Sequence, residues 1–175
     1  MPKNHLKFTS IINRRIPFDK RCRNAYNVKN AIQKGTSNML LSPAFLPPLL
    51  GWYERNKRDL PWRRDREPYH VWLSEIMLQQ TRVEAVKPYF ERFIRELPDI
   101  PALAVCPEEK LLKLWEGLGY YSRVRNMQLA AREMVEKYNG RLPEDFSLLI
   151  SLKGIGSYTA GAIASIAYGI PVPAV

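Results

Sequence analysis

Leu152-Lys153-Gly154-Ile155-Gly156-Ser157-Tyr158-Thr159-Ala160-Gly161-Ala162 is the stretch on which the fold turns. Helical spacing runs through residues 146–152 before it and 158–168 after it, and Gly169 closes the second run. Five residues are too few for anything but a tight connection, so the segment predicts helix, hairpin, helix. Two glycines two apart let the backbone turn sharply and come close to a ligand. The helix that follows has free amides and a positive dipole end, which favour an anion such as a DNA phosphate. Gly154 and Gly156 are therefore candidate DNA-binding positions. A plain helical hairpin with no ligand is the competing reading.

Working outward, the same period continues. Helices are expected at 44–55, 68–79, 82–96, 107–115 and 122–138, with a short one capped by Asp99 and ending at Val105. Pro68 opens the second of these, as proline does at a first helical position. Asn139-Gly140 stops the long helix, for which Ser122 is the candidate cap. No segment alternates as a strand does. The body, residues 44–175, reads as all-α with short links.

The charge is unevenly placed. The chain carries a net +10 over 175 residues. Residues 1–44 hold nine of the 27 lysines and arginines and a single acid, Asp19, so the body is close to neutral. If the body grips a polyanion, it must use placed groups and not bulk charge. Residues 1–43 are basic, acid-poor and broken by Pro2, Pro17 and Pro43. A disordered extension is expected there, or translated upstream sequence; an organelle transit peptide is the alternative. Two cysteines, Cys22 and Cys106, support neither a disulfide framework nor an internal metal site. No apolar run approaches the roughly 20 residues of a bilayer span, so no membrane partner is expected.

Two further stretches carry chemistry. In Val71-Trp72-Leu73-Ser74-Glu75-Ile76-Met77-Leu78-Gln79-Gln80-Thr81, one carboxylate stands in an apolar helix. Burial disfavours its charged form, which suits a general acid near neutral pH. A solvent-facing glutamate is the plainer alternative. In Leu114-Trp115-Glu116-Gly117-Leu118-Gly119-Tyr120-Tyr121-Ser122-Arg123-Val124-Arg125-Asn126, an aromatic pair precedes two arginines. That suits base stacking with phosphate contacts nearby; a helix junction with its aromatics in the core fits equally.

Together with Leu60-Pro61-Trp62-Arg63, Pro68-Tyr69 and Pro88-Tyr89-Phe90, these stretches resemble the adenine DNA glycosylase (MutY) family of the helix-hairpin-helix glycosylase superfamily, over residues 49–175. The resemblance implies a base-excision repair enzyme that hydrolyses the N-glycosidic bond of adenine opposite 8-oxoguanine or guanine in double-stranded DNA. It implies Glu75 as the general acid and Gln80 and Tyr120 as residues inserted into the base stack. It places Arg58, Trp62 and Leu78 at the adenine pocket. Tyr158 stands where relatives with lyase activity carry a nucleophilic lysine; a phenol forms no Schiff base, so hydrolysis without lyase chemistry is implied, with Tyr158 hydrogen-bonding in the site. The family pattern continues past Pro171-Val172-Pro173-Ala174-Val175 with Asp-Gly-Asn, whose aspartate is the second catalytic carboxylate. Four cysteines holding a 4Fe-4S cluster, and a domain that recognises 8-oxoguanine, also belong to the longer pattern. Their ligands are not in this chain, so the cluster is expected only in a full-length protein. A monomer is expected, cytoplasmic in a bacterium, nuclear or mitochondrial in a eukaryote. The rival readings are a related glycosylase for damaged pyrimidines or thymine mismatches, and a non-catalytic DNA-binding remnant. Lacking the aspartate, the 175-residue chain alone should show little or no adenine release on a duplex with adenine opposite 8-oxoguanine. Release at a full enzyme's rate in a single-turnover assay would refute that.

Overall fold

The structure is a computed structural model and describes residues 46–172. The expectations for residues 1–43, for Ala44 and Phe45, and for the last three residues lie outside it. Among the described residues there are eight α-helices, one 3-10 turn and no strand. They are α1 (Leu46–Asn56), the 3-10 turn (Pro61–Arg63), α2 (Pro68–Leu78), α3 (Val83–Glu96), α4 (Ile100–Val105), α5 (Glu108–Trp115), α6 (Ser122–Tyr138), α7 (Phe146–Ser151) and α8 (Ser157–Ile166).

Helix α2 is the centre of the molecule. Tyr69, Val71, Trp72, Leu73, Ser74, Ile76 and Met77 are all buried, so no face of it is polar throughout. A helix apolar all round needs cover on all sides. Helix α3, α8 and the 3-10 turn supply it, each packing directly on α2. Each large apolar side chain removed from water contributes roughly 1.5–3 kcal/mol, and Trp72, Leu73 and Met77 are sealed completely. Helix α8 makes close approach possible because its buried residues are small: Thr159, Ala160, Gly161, Ala162 and Ala164 around Ile163.

The second layer runs α3 on α5, α5 on α6, and α6 on α4. Helix α4 has only six residues and cannot satisfy its own ends. Asp99 accepts a bond from the Ala102 amide at 2.7 Å at its start. At its other end the buried Gln128 of α6 donates to the carbonyls of Leu103 (3.2 Å) and Cys106 (2.6 Å), and Arg132 donates to Ala104 (3.1 Å). Two polar side chains thus tie a short helix to a long one.

Helix ends differ from the sequence expectation in one place. Ser122 is the first residue of α6 and caps nothing; Tyr121 occupies the cap position with helical angles and no side-chain bond. Residues 61–63 form a 3-10 turn within the turn-rich segment 59–67. The stop at Asn139-Gly140 is as expected, with both residues left-handed and the Gly140 amide bonding to the Met134 carbonyl at 2.9 Å. The Gln128→Leu variant keeps the packing volume but strands two buried carbonyls. It should lose about 1–3 kcal/mol of stability, measurable as a lower denaturant midpoint.

Candidate functional site

Four features bear on a candidate site. The first is Glu75. It lies half-buried on a helix whose neighbouring residues Ser74, Ile76 and Met77 are buried, and its carboxylate has no hydrogen-bond partner among the described residues. Burial pushes its carboxyl above the usual carboxylate range, and the positive charge of Arg63 pulls against that. This half-burial favours the sheltered reading over the solvent-facing one. What remains is a carboxyl that holds its proton more tightly than glutamate in water.

The second is a cavity of about 570 Å³ lined by Tyr53, Lys57, Arg58, Asp59, Arg63, Asp65, Arg66 and Ile166. It joins the end of α1, the 3-10 turn and the end of α8. Arg63 connects it to Glu75 electrostatically. Arg58 lines this cavity. Trp62 does not: it is only 5% exposed and meets Phe90 edge-on at 5.4 Å. Leu78 is partly buried against the core and is not part of the lining either. Arg63 stands in a quoted motif but carries no role in the sequence reading, because its closeness to Glu75 depends on how the 3-10 turn docks on α2.

The third is a pair of loops. Gln80 and Tyr120 both have left-handed backbone, with φ of 59° and 46°. Residues with a Cβ rarely adopt it, and it persists only where surroundings enforce it. Both side chains are exposed, Tyr120 to 66%. Tyr121 is exposed as well, so the reading that buries this aromatic pair is excluded. The expectation that Arg123 and Arg125 contact phosphates is corrected. Arg123 spends its guanidinium on backbone carbonyls of both loops, and Arg125 pairs with Glu108 at 2.8 Å. The loop before Tyr120 is further fixed by a bond from Trp115 Nε1 to the Gly119 carbonyl at 3.0 Å. Gly117, at φ 101°, leaves room for the Tyr89 hydroxyl where any side chain would collide.

The fourth is the hairpin between α7 and α8. Its two glycines serve different ends. Gly154 is left-handed, and a Cβ there would fall 2.8 Å from that of Asn126 on α6. Gly156 has ordinary extended angles and caps α8, with open space around it. The fold requires the first; only a close-approaching ligand would require the second. No side chain caps α8, so its first amides stay available. Tyr158, in the first turn, is 55% exposed, and no hydrogen bond joins its hydroxyl to Glu75. Since α8 lies on α2, the two residues stand on neighbouring helices.

An iron–sulfur cluster takes four thiolates. This sequence has two cysteines, Cys106 is buried, and no three His, Cys, Asp or Glu side chains converge among the described residues. The residues present do not fit such a cluster. No helix among the described residues is long and apolar enough to cross a membrane.

Comparison with known proteins agrees with this geometry. Residues 73–175 match the family described as HhH-GPD superfamily base excision DNA repair protein. The human adenine DNA glycosylase is 48% identical over 135 residues, which cover 72% of this chain and 25% of that protein. The chain therefore spans about a quarter of that relative's length. Among solved structures, a thermostable thymine-DNA glycosylase superposes with a TM-score of 0.70 at 27% identity, over 75% of this chain and 61% of the other. A trapped endonuclease III–DNA covalent intermediate gives 0.64 at 25% identity, over 74% and 60%. This chain belongs to the HhH-GPD superfamily of base excision DNA repair proteins.

Proposed function

We propose that this protein is a monofunctional DNA glycosylase that hydrolyses the N-glycosidic bond of adenine opposite 8-oxoguanine or guanine, with Glu75 as proton donor. The observation that carries the reading is the half-buried, unpartnered carboxyl with its raised proton affinity. Double-stranded DNA is the partner. Support comes from the uncapped first turn of α8 behind Gly156, which can receive a backbone phosphate, and from the DNA complex formed by a structural relative.

The chemistry follows from the leaving group. Breaking the bond between sugar and base sends its electron pair into the purine, and the sugar gains positive charge. The protonated Glu75 gives its proton to a ring nitrogen of the base, so the base departs neutral. Water then adds to the sugar carbon, and the proton it releases restores the Glu75 carboxylate to the acid. The base must first leave the duplex, at a cost of a few kcal/mol. Gln80 and Tyr120, exposed on enforced left-handed backbone, are placed to fill the space it vacates. Arg58 then meets the extruded base in the cavity that it lines.

A thymine-directed reading has one observation behind it, the structural likeness to a thymine-DNA glycosylase. That likeness is at 27% identity, against 48% for the human adenine enzyme. Tyr158 also speaks against lyase chemistry, since a phenol offers no amine. Duplexes carrying thymine opposite guanine, thymine glycol, or adenine opposite 8-oxoguanine separate the two; only the last should be turned over by the full-length gene product.

In that protein, Glu75→Gln should lower single-turnover adenine release by about 10²–10⁴-fold and leave duplex affinity unchanged. Unchanged release would remove Glu75 from the mechanism. The acid works only when protonated, so the rate should fall as pH rises through its elevated pKa. The sign for stability is the same. A carboxyl raised in the folded state is most favourable below its unfolded pKa, and that advantage is lost as pH climbs through the folded one. Glu75→Gln should therefore match the parent's thermal midpoint in acid and exceed it at pH 8. A lower midpoint at pH 8 would show that the carboxylate is stabilised in the fold.

A further inference from the structure

We infer that Arg123 is a positioning residue that yokes the Gln80 and Tyr120 loops into one device, so that the two side chains enter the base stack together. The inference rests on the reading of these loops as wedges given above.

One guanidinium bridges segments about 40 residues apart in sequence. Nη1 donates to the carbonyls of Ile76 at 2.7 Å and Gln79 at 2.8 Å. These lie at the end of α2, where carbonyls have no helical partner. Nη2 donates to Leu118 at 2.9 Å and Gly119 at 3.2 Å. Each nitrogen therefore holds the residue immediately before a left-handed one: Gln79 before Gln80, Gly119 before Tyr120. The plane of the group is fixed as well, lying 5.3 Å from the Trp115 ring centroid and 5.8 Å from that of Tyr120. A planar fork with two donor edges can do this; an ammonium on a flexible stem cannot span both loops. Arg123 touches no substrate in this arrangement, because its terminal nitrogens are occupied. Its effect on the reaction passes through the two wedges.

A yoke makes a specific demand: without it, each left-handed residue relaxes, and both loops loosen at once. In the full-length protein without DNA, Arg123→Lys should speed amide exchange at residues 79–81 and 118–121 together, and leave α4 and the start of α7 unchanged. Faster exchange in one loop alone, or in neither, overturns the proposal. A second measurement reads the consequence. It uses Glu75→Gln protein, so that no bond breaks, and a duplex with 2-aminopurine opposite 8-oxoguanine, whose fluorescence rises on extrusion. Arg123→Lys should reduce the extruded fraction about tenfold, in the range that misplacement of a positioned group produces. When Gln80 and Tyr120 are both alanine, the same substitution should change it less than twofold. An equal loss in both backgrounds would mean that Arg123 only supports the fold, and would overturn the inference. So would the absence of any fluorescence gain with Arg123 intact. Loss of adenine specificity, or a different proton donor, would defeat the proposed function yet leave this signal in place.

Discussion

An apolar helix that must be covered on every side constrains everything else here. Seven of the eleven residues of helix α2 are buried, so α3, α8 and the 3-10 turn are arranged around it. Glu75 is the one charged residue between Pro68 and Leu78. The packing that seals Trp72, Leu73 and Met77 also strips water from this carboxyl. The core and the candidate acid are thus one structure. Loosening the cover over α2 would rehydrate Glu75 and move Gln80, which follows directly from the helix end.

Much of this was legible in the sequence because the signals are local. Pro68 marks the start of α2, Asp99 the start of α4, and Asn139-Gly140 the end of α6, each through backbone chemistry that needs no knowledge of the rest of the chain. Glu75 stands out because its neighbours in sequence are also its neighbours in space. Arg123 and Trp62 were hidden for the opposite reason. A basic residue behind two tyrosines looks like a phosphate contact until the end of α2 is seen to lie within reach of its guanidinium. Trp62 sits in a motif-rich segment, but the docking of the 3-10 turn against α3 turns it onto Phe90. Contacts of this range leave no period in the sequence. The two glycines of the hairpin look equivalent on paper as well. Only the approach of Asn126 separates the one demanded by packing from the one left open.

The cost of the left-handed residues points the same way. A single non-glycine residue in that region carries roughly 1–2 kcal/mol of strain, and Gln80 and Tyr120 both carry it while exposed. Asn139 has the same backbone for an ordinary reason, since it ends a helix. Gln80 takes it at the third position of the turn that the Thr81 amide closes on the Leu78 carbonyl at 3.2 Å, and Tyr120 takes it just ahead of α6. The guanidinium bonds to the residues before them, the Trp115 bond to Gly119, and the fit of Tyr89 at Gly117 are what offset the strain. Strain held this firmly keeps two exposed side chains in one arrangement before any ligand arrives, which spares the ordering cost at the moment of binding.

The near-neutral body gives this preorganisation its importance. Affinity built from many lysine–phosphate contacts would be high for any duplex and would fall steeply with salt. Here the described residues pair several of their cations internally: Lys57 with Glu54, Arg64 with Asp59, Lys87 with Glu84, and Arg125 with Glu108. Under the proposed function, a strand would meet the first turn of α8, a set of amides whose positions the hairpin fixes, with the exposed Lys153 beside it. On the same reading, a weak general hold would let the energy of opening the duplex decide where the protein stays. A mispaired base costs less to extrude than a paired one, so the discrimination would then lie in the deformation and in the rigidity of the Gln80 and Tyr120 loops.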